Sequence, residues 1–244
     1  MVLIVGAVLA LLLAGPASVA AFGPVNVTSD WSKATHESSG QAPAAATTPE
    51  AIVQVYAARA FGWRAAFAVH TWIAAKPAGA SHYTRYEVIG WNYYRGGSAV
   101  VIGGNRAPDA QWFGAEPMLL GEYRGKAAET IIAKLAAAAA SYPHADLYRA
   151  WPGPNSNTFI AHMLREIPEF RLDLPPHAVG KDFLPDGALF ARSPSGTGIQ
   201  ASAYGLLGLT IGVEEGLELN LLGLVVGINP LDPSIKIPGI GRIP

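Results

Sequence analysis

The sequence predicts an α+β fold in which an antiparallel sheet packs against helices behind an apolar leader. Three observations predict it. Two β-rich runs, residues 67–73 and 83–91, flank a turn-forming stretch at 76–81. An alanine-rich stretch, residues 126–141, carries Ile131, Ile132, Leu135 and Ala139 at helical spacing. Half of the 244 residues are hydrophobic and only 14% are charged, so the chain can bury a substantial core.

The elements follow in order. Residues 1–29 hold no charged side chain. Residues 1–14 are almost wholly apolar; Gly15 and Pro16 break the run, and Ala17-Ser18-Val19-Ala20-Ala21 follow. Small residues after an apolar stretch resemble a signal-peptidase site. About 20 apolar residues also suffice to span a bilayer. Residues 1–22 therefore read as a signal peptide or membrane anchor, with a buried N-terminal helix as the alternative. The expected location is exported: periplasmic or anchored to the inner membrane. Residues 23–49, rich in Ser, Thr, Pro, Gly and Ala, read as an irregular linker. Asn26-Val27-Thr28 within it matches a glycosylation acceptor. Residues 50–244 read as a single α+β domain.

Pro49 stands ahead of Ile52, Val53, Tyr56 and Ala60 at helical spacing, which predicts a helix over residues 50–59. The two β-rich runs form an antiparallel hairpin. Centring its turn between Ala78 and Gly79 sets His70 opposite Glu87 on one sheet face. A one-residue slip would separate them. Further strands are expected near residues 98–102 and 118–123, then the helix over 126–141, closed by Pro143. Trp151-Pro152-Gly153-Pro154 is a stiff approach to another helix, from Ser156 to about Arg165, ended by Pro168. Residues 170–200 look loop-rich.

Residues 204–228 are apolar and punctuated by glycine, but Glu214, Glu215 and Glu218 argue against a spanning helix. Leu217-Glu218-Leu219-Asn220-Leu221 alternates strictly, as in a strand with one buried face. The leucines read most simply as core residues; a membrane-surface contact is the sharper alternative. Residues 230–244, rich in Pro and Gly, read as extended or irregular.

Composition excludes several function classes. Seventeen Lys and Arg against eighteen Asp and Glu leave a net charge of −1, which removes any general electrostatic case for nucleic acid as a partner. The absence of cysteine excludes disulfides, a cysteine nucleophile, thiolate metal sites and a lipidated N-terminal cysteine. No histidine pair has metal-ligand spacing, so neither a metal nor an organic cofactor is expected.

Chemistry concentrates in His70, Glu87 and the run Asn155-Ser156-Asn157-Thr158-Phe159 at the start of a helix. A helix N-terminus offers unpaired backbone N–H groups and a favourable dipole to a nucleophile or oxyanion. In the catalytic reading Ser156 is the nucleophile, His70 its base and Glu87 the group that orients the base. Asn155, Asn157, Trp72 and Trp151 would contact substrate. In the structural reading Asn155 or Ser156 is a helix cap, His70 a hydrogen-bonded core histidine, and Glu87 a residue of a solvated face.

Several segments carry a resemblance. Ala58-Arg59-Ala60-Phe61-Gly62-Trp63-Arg64, Phe67-Ala68-Val69-His70-Thr71-Trp72, residues 83–91, residues 151–159 and the tail Pro238-Gly239-Ile240-Gly241-Arg242 resemble a bacterial family, domain of unknown function 3750. The family has no established activity to carry over. More remotely, a His-bearing strand followed by an Asn-x-Asn helix start is similar to the circularly permuted papain-like hydrolases, the NlpC/P60-related and PPPDE-type peptidases. That resemblance implies a nucleophile at Ser156 and a histidine at His70, with serine where those enzymes have cysteine. A serine hydroxyl is far less acidic than a thiol and depends more on its base.

Two functions follow as expectations. One is an envelope-facing, serine-variant hydrolase or acyltransferase acting on amide, peptide or acyl-ester bonds of an envelope peptide, glycopeptide or lipid. The other is a non-catalytic envelope module that binds a peptidoglycan fragment, lipid or protein partner, with membrane association through the N-terminal segment. A purely structural anchor is not distinguished from the second.

Overall fold

The computed structural model describes residues 2–25 and 34–244; the Asn26-Val27-Thr28 pattern and part of the expected linker lie outside the described residues. The chain is α+β, with two antiparallel sheets among the described residues. The first has the order β4-β3-β2-β1-β5. It is built from β1 (Ile52–Arg59), β2 (Val69–Lys76), β3 (Thr84–Val88), β4 (Val100–Gly103) and β5 (Pro117–Arg124). The stretch expected as a helix is thus β1, an interior strand. Ile52 to Ala58 are buried without a break. A strand covered on both faces shows no alternation, and its continuous apolar run imitates helical spacing. Ile52, Val53 and Val55 are β-branched and favour the pleated choice, and partners on both sides complete it.

The hairpin of β2 and β3 forms, with a register two residues from the expected one: Ile73 lies opposite Tyr86, not Thr84. The turn is displaced because Lys76 belongs to β2. Its buried ammonium donates to the carbonyls of Thr48 at 2.8 Å and Glu50 at 2.7 Å. A shift of two leaves every side chain on its predicted face. His70 and Glu87 therefore share a face as diagonal neighbours rather than direct partners.

A short helix, α2 (Gly90–Tyr94), follows β3. Helices α3 (Gly125–Ala140) and α4 (Ser156–Glu166) begin and end close to the expected bounds. They cover one face of the sheet, where Val53, Val69 and Ile73 pack with Ile131, Leu135, Phe159 and Ile160. The opposite face carries a second core of Tyr56, Trp72, Tyr83 and Trp112, joined by Ala45 and Phe113.

The second sheet is a meander in chain order: β6 (Phe190–Arg192), β7 (Gly198–Ala203), β8 (Leu207–Gly212), β9 (Gly216–Leu221), β10 (Leu224–Asn229), β11 (Ser234–Ile237) and β12 (Gly241–Ile243). It takes in the end of the stretch expected as loop, and β11 and β12 lie within the stretch expected as extended or irregular. The alternating motif is β9, but its buried face is the polar one. Glu218 and Asn220 are 2% and 4% exposed, whereas Leu217 and Leu219 are 44% and 40% exposed. The leucines are not core residues. The reason lies beneath the sheet. Glu218 pairs with Lys181 and, at 2.6 Å, with Lys236, and Lys236 also meets Asp173 at 2.6 Å. Asn220 and Gln200 both donate to Asp182. Burial, with the Glu218 charge beside it, pushes the Asp173 carboxyl up to about 7. Charges removed from water must be paired, and the sheet turns its polar face inward to pair them.

Residues 2–22 form α1 (Val2–Phe22). Leu12, Gly15, Pro16 and Val19, spaced by three and four, are its buried stripe. A Cβ on Gly15 would stand 2.1 Å from the Pro238 carbonyl oxygen, so only glycine permits this approach of α1 to the β11–β12 turn. Among the described residues no helix is long and apolar enough to cross a membrane.

Candidate functional site

The site residues fall into two groups, one on each side of β2. The start of α4 is the first. Asn155 is its N-cap: Oδ1 accepts from the N–H groups of Asn157 at 2.9 Å and Thr158 at 3.2 Å, and the Asn155 N–H donates to Thr158 Oγ1 at 3.1 Å. This is a reciprocal capping box. The Asn155 amide donates to the carbonyls of Ala150 and Val179 at 3.1 and 2.9 Å. The Asn157 amide donates to those of Val69 and Val179 at 2.9 and 2.8 Å, and its oxygen accepts from Thr71 Oγ1 at 2.9 Å. All four amide N–H bonds are thereby committed to main-chain carbonyls. Both asparagines serve to pin α4 to β2 and to residues 178–180. Ser156 lies between them, 6% exposed, and its hydroxyl makes no hydrogen bond among the described residues.

The second group is built on β2 and β3. Glu87 Oε2 accepts from His70 Nε2 at 3.1 Å and from Arg85 Nη2 at 2.9 Å, with all three side chains buried. Burial alone would raise the Glu87 pKa, but the His70 hydrogen bond and the Arg85 charge outweigh it and hold the carboxyl at about 2. Burial lowers the His70 pKa against the pull of Glu87. A neutral imidazole donating Nε2–H to a carboxylate satisfies both directions. The ring is enclosed by indoles: it stacks on Trp112 at 3.6 Å with 8° between planes, and lies 5.8 Å from Trp72. Arg85 lies 4.5 Å over the Trp72 ring, and Arg106 lies 5.5 Å over Trp112.

Neighbouring strand residues point to opposite faces. Val69 and Thr71 face α4; His70 and Trp72 face the indole cluster. The structure thus brings His70 to Glu87, and Ser156 to Asn155 and Asn157, but sets the two groups on opposite sides of β2. Trp72 is fully buried and donates Nε1–H to Pro108 O at 2.7 Å. Trp151 is 55% exposed and donates to Leu222 O at 2.9 Å, in the β9–β10 turn. They do not line one groove.

Sequence reasoning did not single out Arg85, although it stands two residues from Glu87 on one strand and so shares its face. Trp112 and Arg106 reach the site from an irregular segment, and no local pattern announces their approach to His70.

A family described as protein of unknown function (DUF3750) matches residues 50–183, more than half of the chain. The chain belongs to this family. The DUF3750 match takes in the first sheet, α2 to α4 and both groups of site residues. It stops before β6, so the second sheet and the tail at 238–242 lie outside it. No curated protein and no solved structure matches the chain.

Proposed function

We propose that the protein is a non-catalytic binding module of the cell envelope, held at a membrane by its N-terminal segment. One observation carries this reading: the His70 imidazole and the Ser156 hydroxyl stand on opposite sides of β2. A general base must come within hydrogen-bond reach of the proton it removes, directly or through one water. His70 is instead enclosed by Trp112 and Trp72 and engaged by Glu87. The committed amides of Asn155 and Asn157 support the same reading, since neither has a free N–H for an oxyanion. The buried stripe on α1 supports a retained segment over a cleaved one.

The test uses the full-length protein and a fluorophosphonate probe. No labelling is expected of wild type or of Ser156→Ala. Labelling that Ser156→Ala abolishes overturns the reading. Fractionation of producing cells tests location: the intact chain is expected with membranes, and recovery in the cytosol defeats that part.

A second reading has one feature in its favour. Among the described residues the Ser156 hydroxyl is unengaged, in the first turn of α4, where a nucleophile would stand in a serine-variant, permuted papain-like hydrolase or acyltransferase. That reading requires a base other than His70 in its present setting. The same probe decides it.

A further inference from the structure

The second sheet is inverted. Its inner face holds Glu218, Asn220, Lys236, Gln200 and Thr210, all buried. On the outer face, pairing places Ile199 opposite Ile211, Ile211 opposite Leu217, Leu217 opposite Ile228, Ile228 opposite Ile235 and Ile235 opposite Ile243. Directly opposed residues share a face. One unbroken aliphatic row therefore crosses six strands, about 24 Å at about 4.8 Å per strand spacing. Each of its members is at least 42% exposed. A parallel row sets Ala201, Leu209, Leu219 and Val226 side by side. From β7 to β11 every outward position is Ala, Leu, Ile or Val. Monomeric soluble proteins rarely leave so continuous an apolar surface to water.

We propose that this outer face lies flat on a lipid bilayer, with the first half of α1 embedded beside it. The inference rests on the reading of the protein as an envelope binding module and names its partner. The helix supplies the argument for lipid. Ile237 lies two residues from the outward Ile235 and so on the same face, and a Cβ on Gly15 would stand 3.1 Å from Ile237 Cγ2. Helix α1 therefore meets the sheet on its aliphatic side. Leu3, Val8, Leu9, Leu11 and Leu13 remain exposed. At 100° per residue they point all round the helix axis. A protein partner would call for a single stripe; a helix apolar on every side suits surrounding hydrocarbon. Residues 2–11 measure about 15 Å, half of a hydrocarbon core of about 30 Å. That length reaches into one leaflet without crossing it. At the sheet margin, Arg192 pairs with Ile199 and is exposed, within reach of lipid phosphates.

The chain has no cysteine, so one introduced thiol reports one place. The full-length Leu219→Cys variant, labelled with bimane, is mixed with vesicles of phosphatidylethanolamine and phosphatidylglycerol at three to one. Glu129→Cys, on the exposed side of α3 in the first-sheet half, is the control. A blue shift at 219 with at least twofold quenching by doxyl lipids, and neither at 129, is expected. Replacing Ile211, Leu217 and Ile228 together by Thr should weaken vesicle binding at least tenfold, with the near-ultraviolet circular dichroism spectrum unchanged. Protein that sediments with vesicles while the label at 219 stays unquenched overturns the proposal: α1 alone would then hold it. A concentration-dependent blue shift without vesicles, lost on dilution, also overturns it in favour of a second copy of this chain. Neither outcome bears on the fluorophosphonate test, so the surface and the absence of catalysis can fail separately.

Discussion

His70 and Thr71 are consecutive on β2, yet the His70 imidazole stacks at 3.6 Å on Trp112 while the Thr71 hydroxyl donates to Asn157 at 2.9 Å on the other side of the sheet. One peptide unit thus separates a buried polar cluster from the staple that holds α4. The two have different energetic roles, and substitutions separate them.

Glu87 is the counter-charge of Arg85 and the acceptor of His70. Glu87→Gln leaves the Arg85 guanidinium buried without an anion, and breaking a buried pair in this way costs about 3–5 kcal/mol. Urea denaturation at pH 7 should show a loss of this size. A loss below about 1 kcal/mol would mean that the cluster is hydrated in solution.

Acid should destabilise the protein through two groups. Burial, helped by the Arg59 charge, lowers the His177 pKa from 6.5 to about 3. The unfolded chain then takes up a proton that the folded chain refuses, so stability present above pH 6.5 is lost as pH falls toward 3. Glu87, lowered from 4.5 to about 2, contributes about 3 kcal/mol above pH 4.5 that is lost on the way to pH 2. Asp173 acts in the opposite sense. Raised from 3.8 to about 7, it favours the fold at low pH and loses that contribution as pH rises between those values. Melting temperatures from pH 3 to 8 should fall less steeply in acid for His177→Gln and more steeply for Asp173→Asn. Parallel curves for all three proteins would refute the assignment.

Asn157 and Ser156 are adjacent but unequal. Asn157→Ala removes three buried hydrogen bonds, taking the acceptor at 2.9 Å from the Thr71 hydroxyl and a donor from the Val69 carbonyl while the Val179 carbonyl keeps Asn155, at a cost of about 2–3 kcal/mol. Ser156→Ala removes a hydroxyl with no partner among the described residues and should change stability by less than about 1 kcal/mol. Denaturation of the two variants side by side checks the ordering, and a larger loss for Ser156→Ala would reverse it.

Gly15 is where α1 touches the β11–β12 turn. Gly15→Leu should lift α1 off without unfolding the sheets, because its Cβ would stand 2.1 Å from the Pro238 main-chain oxygen, which cannot turn aside as a side chain could. Hydrogen exchange is expected to quicken at residues 12–19 and to stay unchanged in β1 and β2. Protection kept at residues 12–19 would show that the helix docks elsewhere.

Much of this was legible from local signals. Helix α4 starts at Ser156 because Asn155 caps it and Thr158 closes the box, and Pro168 stops it, all within fourteen residues. Alanine content and apolar spacing sufficed for α3. The His70–Glu87 contact was reached through a register wrong by two, because a side-chain period of two tolerates an even error and not an odd one. Residues 50–59 misled for a related reason: a strand buried on both faces has no alternation to show. The meeting of Arg106 and Trp112 with His70 was out of reach, since the segment that brings them there has no regular pattern.

The sequence by itself determined the family, the α+β class, the positions of α3 and α4, and the fact that residues 217–221 form a strand with two unlike faces. Only the tertiary structure decided which face turns inward. Alternation is symmetric; the asymmetry comes from Lys181, Asp173 and Asp182 beneath the sheet, where Glu218 pairs with Lys181, Lys236 pairs with Asp173 and the Asn220 amide donates to Asp182. It likewise decided that His70 and Ser156 are kept apart, because they lie on opposite faces of one strand and the direction from which α4 packs is not written in the spacing between them.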